Sequence, residues 1–493
     1  MMNKKVEVKD ALKATGTVGG GQVINILISL LRTKVVALLL GTAGVGVIGI
    51  LTTATDMIRN FSSFGLPFSG VRDISIANGN NDEIEVSRIV KIFNKWVLIS
   101  SIIGSVITLL FCYTLSCFLF NNGSYTIEIA FLSILIFFST LNAGYQSVMQ
   151  GKRAIVMMSK ATIIANFFGS ILSVLFYFIF KEKGIVPSLI AMGVINFIVS
   201  RYFYKKLLIL DYEKIKFSES WHSAKGMIRI GLFTIVVSIF DQIFGLGMRA
   251  FIADKSGIGG VGLFTAANTI ATMYLSIVLS SMASDYYPKL SAIHEDNNKL
   301  TEAVNAQLYI VLLLASPIII GMVGFADLAI KILYSSKFMG AVLVLKWQVI
   351  GDFFKIISWP CGFVFLAKGL GKLYVFISIS YTIIYMGIVY FGWDYLGFLG
   401  IGLSFFIAQF LSMTFTYFYS NIKYKIVISY SNLKVIAVFS VLIIIAFYSE
   451  EFLTSYNRII ASALILLISS TYSIYHLNSV IDIKNIISKV LKK

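Results

Sequence analysis

Five ionisable residues sit where water should be absent. Arg32, Asp56, Asp241, Asp352 and Lys355 fall several turns inside long apolar runs. An ionised side chain there costs about 2.5–3.5 kcal/mol on insertion scales, and snorkelling to an interface gives little relief. Their surroundings have helical spacing. Asp56 and Arg59 stand at i,i+3, as do Asp352 and Lys355, with Gln348 one turn before the acid. Gln242 and Arg249 stand at i,i+7. Each set therefore lies on one helix face. Neutral stripes accompany them: Gln22, Asn25, Ser29 with Arg32; Asn142, Gln146 with Arg153; Asn166, Ser170, Ser173, Tyr177; and Thr265, Asn268, Thr272, Ser276. A structural ion pair explains any single charged set. Polar faces on several helices point instead to a wet cavity. Its bases are Arg32, Lys34, Arg59, Arg153, Arg249 and Lys355, and they outnumber its acids, Asp56, Asp241 and Asp352. A cationic central cavity favours an anionic substrate, and the planar fork of arginine suits phosphate. The six bases are the substrate-binding candidates, with Arg153 at the cytoplasmic mouth. The three acids are candidates for coupling to an ion gradient, or for holding the arginines in place. Arg201 and Lys346, near span ends, are expected to snorkel.

These residues need helices to carry them across a bilayer. Hydrophobic residues make up 57% of the 493-residue chain and charged residues 13%, about half the charge of a soluble protein. Apolar runs of 18 or more residues recur throughout and predict about fourteen transmembrane helices between residues 14 and 476. The runs are continuous rather than alternating, which excludes a β-barrel. The fold class is an all-α polytopic membrane protein. Most of the 41 lysines and arginines fall in alternate connections and at the termini. The other connections hold only Lys181, Lys183, Lys255, Lys331 and Lys337, with Arg458 just beyond the last. By the positive-inside rule both termini are cytoplasmic. The net charge of +17 is spread over many loops, which is a topology signal and not a nucleic-acid patch. No cleavable signal peptide is evident, since the first run is too long. Cys112, Cys117 and Cys361 read as small hydrophobes in apolar helices. The three histidines lie far apart, so no metal site is expected.

An internal repeat divides the chain. Gly49-Ile-Leu-Thr-Thr-Ala54 resembles Gly262-Leu-Phe-Thr-Ala-Ala267, and each follows a glycine-rich turn. The expected organisation is an N-terminal lobe over 1–207, a cytoplasmic linker over 208–226, a C-terminal lobe over 227–420, and two further spans with a tail over 421–493. Six spans per lobe give a parallel repeat. Gly44-Val-Gly-Val-Ile-Gly49 and Gly257-Ile-Gly-Gly-Val-Gly262 both match G-x-G-x-x-G. A membrane helix precedes each instead of a strand, so close helix packing explains them better than a nucleotide site. Connections stay under about 25 residues, with no catalytic set on either face, so no enzyme activity is expected.

Three local stretches resemble the Wzx-type O-antigen and enterobacterial common antigen flippases. These belong to the polysaccharide transporter family of the multidrug/oligosaccharidyl-lipid/polysaccharide superfamily. The stretches are Arg32-Thr-Lys34 running into Leu40-Gly-Thr-Ala-Gly-Val-Gly46; Met248-Arg249 with Gly262-Leu-Phe-Thr265 and Tyr287-Pro-Lys-Leu-Ser291; and Leu333-Tyr-Ser-Ser-Lys-Phe338 with Trp347-Gln-Val-Ile-Gly-Asp-Phe-Phe-Lys355. The resemblance implies a two-lobed fold in the bacterial inner membrane. It also implies passage of an undecaprenyl-pyrophosphate-linked oligosaccharide from the cytoplasmic to the periplasmic leaflet by alternating access. A proton or sodium gradient would supply the drive, with no cofactor. Membrane lipids, a polysaccharide polymerase and a chain-length regulator are the partners implied. The alternatives are a drug or cation exporter of the same superfamily, whose pocket would be more acidic or apolar, and a membrane polymerase or ligase, which would need a large outer loop.

Overall fold

A computed structural model describes residues 2–80, 82–120, 122–207, 217–452 and 455–480. Much of the 208–226 linker and the tail beyond 480 lie outside the described residues. The described chain is helical: α1 (Met2–Ser62), α2 (Leu66–Gly79), α3 (Glu83–Phe120), α4 (Thr126–Gly151), α5 (Ile155–Phe180), α6 (Ile185–Tyr204), α7 (Phe217–Ala292), α8 (Asn297–Gly324), α9 (Ala326–Leu333), α10 (Val342–Ala367), α11 (Gly371–Leu396), α12 (Leu399–Tyr424), α13 (Tyr430–Phe452) and α14 (Ser455–Val480). Among the described residues, eleven helical stretches are long and apolar enough to cross a membrane. Three of them, Ile24–Ser62, Ile155–Tyr204 and Phe240–Ser276, run 39, 50 and 37 residues. At 1.5 Å per residue each is about 55 Å or more, nearly twice a 30 Å hydrocarbon core. Each is also broken near its middle, at Gly41, at the 3-10 turn Lys181–Gly184 and at Gly257, unlike the similarly long Glu83–Phe120. Each can therefore hold two crossings, and the count is consistent with fourteen spans.

By internal contacts the chain separates into two compact units, Met1–Gly262 and Leu263–Lys493. The break falls inside α7, just beyond its kink.

The kinks in α1 and α7 are built alike. Gly41 (φ 65°) interrupts α1 and Gly257 (φ 68°) interrupts α7, in a backbone region that L side chains rarely adopt. Three residues on, a Cβ on Gly44 would overlap Leu40, and one on Gly260 would overlap Ser256. Five residues on, Gly46 meets the carbonyl of Ile258, and Gly262 meets the backbone of Thr42. The three glycines of each turn thus admit the kink, the residue before it, and the facing turn. This is the origin of the two G-x-G-x-x-G matches. It also corrects the repeat register: Gly46, not Gly49, is the counterpart of Gly262. The slip of three residues is about one helical turn, the distance at which helix sequences most easily look alike.

The first unit also holds a small apolar core. Leu66, Ile74 and Ala77 of α2 pack with Val90, Phe93 and Trp96 of α3, Val148 of α4, and Ala224 and Met227 of α7. Trp96 Nε1 donates to Ser220 Oγ at 2.9 Å, tying α3 to the start of α7. Residues 67–91, less apolar than the runs on either side, form most of α2 and the opening turns of α3. The segment is too polar to register as a span, but its apolar residues share one face.

In the second unit α10 and α12 pack closely, and α13 and α14 lie against α8. Ser462 of α14 fits against Gly324 of α8. Asn305 of α8 holds the link to α13: it donates to Val427 O at 2.8 Å and accepts from Ser429 N at 2.7 Å. Between α8 and α10 the chain carries the short helix α9 and a 3-10 turn, Ser336–Ala341. The Asp327–Arg458 ion pair at 3.0 Å ties α9 to α14. All three cysteines are free.

Candidate functional site

In the first unit the charges of α1 split by environment. Asp56 and Arg59 form an ion pair at 3.0 Å whose side chains remain 51% and 33% exposed. Arg32 is half-buried and its Nη1 reaches Met192 Sδ of α6 at 2.7 Å. A thioether is a weak acceptor, so the guanidinium keeps donors for a stronger one. Lys34 is half-buried on the same helix. Arg153 is exposed in the α4–α5 turn, at φ 56°.

Helix α7 places Asp241 exposed and Arg249 half-buried. Arg249 Nη1 donates to the Gly245 carbonyl, one turn back, at 3.0 Å. A side chain on Gly245 would touch both that Nη1 and Thr53 Cγ2, at 3.5 and 3.9 Å. These are ordinary van der Waals distances, and they place Thr53 of α1 beside this turn of α7. Thr53 and Gly245 stand equally far along the chain from Gly41 and Gly257, so Asp56 lies level with Gln242.

Two of the polar stripes are packed rather than wet. Asn166 Nδ2 donates to Asn25 Oδ1 at 3.0 Å, and Ser188 Oγ donates to Tyr177 Oη at 2.6 Å. Gln146 Nε2 donates to Ser200 Oγ at 2.9 Å. Ser170, Ser173 and Tyr177 are buried. These groups satisfy one another between helices, as buried polar groups must. The cavity inferred from the α5 stripe is corrected accordingly.

The second unit presents the opposite arrangement. Asp352 is buried and accepts from Tyr274 Oη at 2.9 Å. Gln348, one turn before it, is also buried. Lys355 is half-buried on the same helix. Tyr274 was not legible in the sequence, because a tyrosine in an apolar run reads as an interfacial aromatic. Lys346 is buried and does not reach out as expected. Arg201 is exposed, its guanidinium 5.9 Å from the Phe197 ring, as a snorkelling residue should be. The stripe on the last part of α7 is open: Thr272 and Ser276 are exposed.

A half-exposed Asp56, or an exposed Asp241 or Thr272, inside a membrane-crossing helix cannot face lipid without cost. Those faces are built for water or a polar ligand. The family model described as polysaccharide biosynthesis protein matches residues 35–343, a range that holds both kinked turns and Arg249. The chain belongs to this family. Among curated relatives, the lipid III flippase of Escherichia coli K12 is 21% identical over 380 residues, covering 75% of this chain and 88% of the relative. A Shigella flexneri protein whose name assigns it O-antigen transport is 23% identical over 391 residues, covering 78% and 91%. Among solved structures, the lipid II flippase MurJ in an inward closed conformation aligns with TM-score 0.65 at 15% identity, covering 94% of this chain and 99% of that one. An inward-facing MATE multidrug transporter of the MOP superfamily aligns with TM-score 0.67 at 17% identity, covering 81% and 94%. The chain thus has the fold of that superfamily and is a multi-pass membrane protein.

Proposed function

We propose that this protein is a flippase for an anionic lipid-linked oligosaccharide, of the undecaprenyl-pyrophosphate-linked class, carried from the cytoplasmic to the periplasmic leaflet. The carrying observation is the half-exposed Asp56–Arg59 pair inside a membrane span, on a helix that also bears Arg32 and Lys34. The names of the relatives support the cargo class. In this reading Arg32, Lys34, Arg59, Arg249 and Lys355 receive the diphosphate and any acidic sugars, and Arg153 stands at the cytoplasmic mouth. The polyprenyl tail stays in lipid. Asp56, Asp241 and Asp352 are the candidates for coupling to a proton or sodium gradient. Asp352 has the environment most suited to a single small cation or proton: it is buried, with one hydroxyl donor and the Gln348 amide nearby in sequence. Both termini are cytoplasmic by the positive-inside rule, and the lobes divide at 208–226. A polymerase and a chain-length regulator would act on the delivered product.

The test is Arg249→Ala in cells that depend on this protein for surface polysaccharide. Losing a charge-assisted contact to phosphate predicts a drop in surface glycan on the order of tenfold or more. Lipid-linked oligosaccharide should accumulate behind it, while the protein stays at normal membrane levels. Arg249→Lys should retain part of the activity. Full activity in the alanine variant would remove the cationic route.

A further inference from the structure

Two cavities meet at one end of the α4–α6 bundle. The first, of 640 Å³, is an apolar groove. Helices α4 and α5 both pack closely on α6 and touch each other only slightly. Pro187, Ala191 and Ile195 of α6 form the floor, with Phe131 of α4 and Phe176 of α5 at the sides. Ala191, the smallest of these side chains, leaves room at the middle of the floor. The second, of 620 Å³, is more polar, and Ser124, Tyr125 and Glu182 line it. Glu128, Lys183 and Val186 border both. Glu128 Oε2 is buried without a hydrogen-bond partner among the described residues. Lys183 and Glu182 are exposed beside it.

An apolar channel opening onto a pocket with one ammonium and two carboxylates has the polarity sequence of a lipid. The floor from Val186 to Ile195 rises about 13 Å at 1.5 Å per residue. That is close to the half-thickness, about 15 Å, of a 30 Å hydrocarbon core. The groove therefore matches one leaflet in length. The mouth selects the headgroup. A buried carboxylate oxygen with no donor is costly, and it calls for a ligand N–H. Lys183 supplies a cation for a phosphate. Two carboxylates oppose a headgroup of net negative charge. A quaternary ammonium has no N–H to give.

We infer that this composite cavity is a binding site for a phospholipid with a primary ammonium headgroup. One hydrocarbon chain lies along α6, the phosphate sits at Lys183, and the ammonium donates to Glu128. By the orientation proposed above the lipid belongs to the outer leaflet. None of these side chains is on the proposed glycan route, so the site stands or falls separately from it.

The test uses the full-length protein in nanodiscs of phosphatidylcholine doped equally with phosphatidylethanolamine and phosphatidylglycerol. Lipids retained after mild delipidation are counted by native mass spectrometry. Phosphatidylethanolamine should be retained over either other lipid on the order of tenfold, as expected for one charged hydrogen bond. Mono- and dimethylated headgroups should be retained progressively less, and preference should vanish at three methyl groups. Glu128→Gln, nearly the same size, should bring the ratio to about one. Ala191→Trp should lower retention of all three lipids by filling the groove. The proposal is overturned if the wild type shows no preference or if Glu128→Gln preserves it. It is also overturned if Ala191→Trp leaves the retention of phosphatidylethanolamine unchanged.

Discussion

The kinked helices α1 and α7 share a backbone and differ in charge. Gly41, Gly44 and Gly46 match Gly257, Gly260 and Gly262 one for one, in φ and in what each glycine admits. In that register Asp56 corresponds to Thr272, Arg32 to Met248, and Thr33 to Arg249. Asp56 is half-exposed and Thr272 exposed, so the open face is duplicated but its charge is not. A feature demanded by backbone approach is kept in both copies, because only glycine fits. The charges follow no such demand, and their asymmetry belongs to the cargo.

The largest effect should come from breaking what the two turns share. Gly262→Leu drives a side chain into the Thr42 backbone, which cannot give way as a flexible side chain can. Surface polysaccharide should be lost altogether, and Gly46→Leu should do the same from the facing turn. Normal activity in both variants would mean that the turns need not meet during the cycle. Asp352→Ala comes next. It leaves the Tyr274 hydroxyl without its acceptor in a buried site, at a cost of about 1–3 kcal/mol. A lowered melting temperature in detergent should show it, and Asp352→Asn should recover most of the loss. If Asp352→Asn restores stability but not transport, the acid has a role beyond holding Tyr274.

Thr272→Asp sharpens the comparison by copying the charge of α1 onto α7. On a water-facing surface the change should stay within about 0.5 kcal/mol. Against lipid it would cost about 2.5–3.5 kcal/mol and reduce the level of protein in the membrane. Unchanged expression and melting temperature are the expected result. The smallest effect concerns Asp296, where α7 gives way to α8. Backbone N–H groups of Lys299 and Asn298 donate to its carboxylate and hold it below the usual carboxylate range. A depressed folded value means that this cap contributes fully above about pH 4, the unfolded range. Its contribution is lost as pH falls through the lowered folded value. Asp296→Asn should narrow the difference in melting temperature between pH 7 and pH 3 slightly.

Much of the plan was legible because it rests on one-dimensional signals. Long apolar runs announced the helices, and the spacing of Asp56 with Arg59 put both on one face, where they pair. The repeat was visible, but one turn out of register, since local similarity in helices recurs at each turn. Other features had no such signal. Helix α2 was hidden because a short amphipathic helix is less apolar than a span. Tyr274 lies far from Asp352 in the chain, so their bond needed two helices brought together.

The sequence by itself determined that this chain crosses the membrane many times, which side chains are costly there, and that bases outnumber acids among them. Those properties depend on composition and helical period, which survive any packing. Only the tertiary structure decided which costly groups stay open and which are satisfied. Asp56 and Arg59 remain half-exposed, Asp352 is sealed against Tyr274, and the stripes through Asn166 and Gln146 are spent on neighbouring helices. Exposure and partnership depend on which helix faces which, and a single helix carries no record of its neighbour.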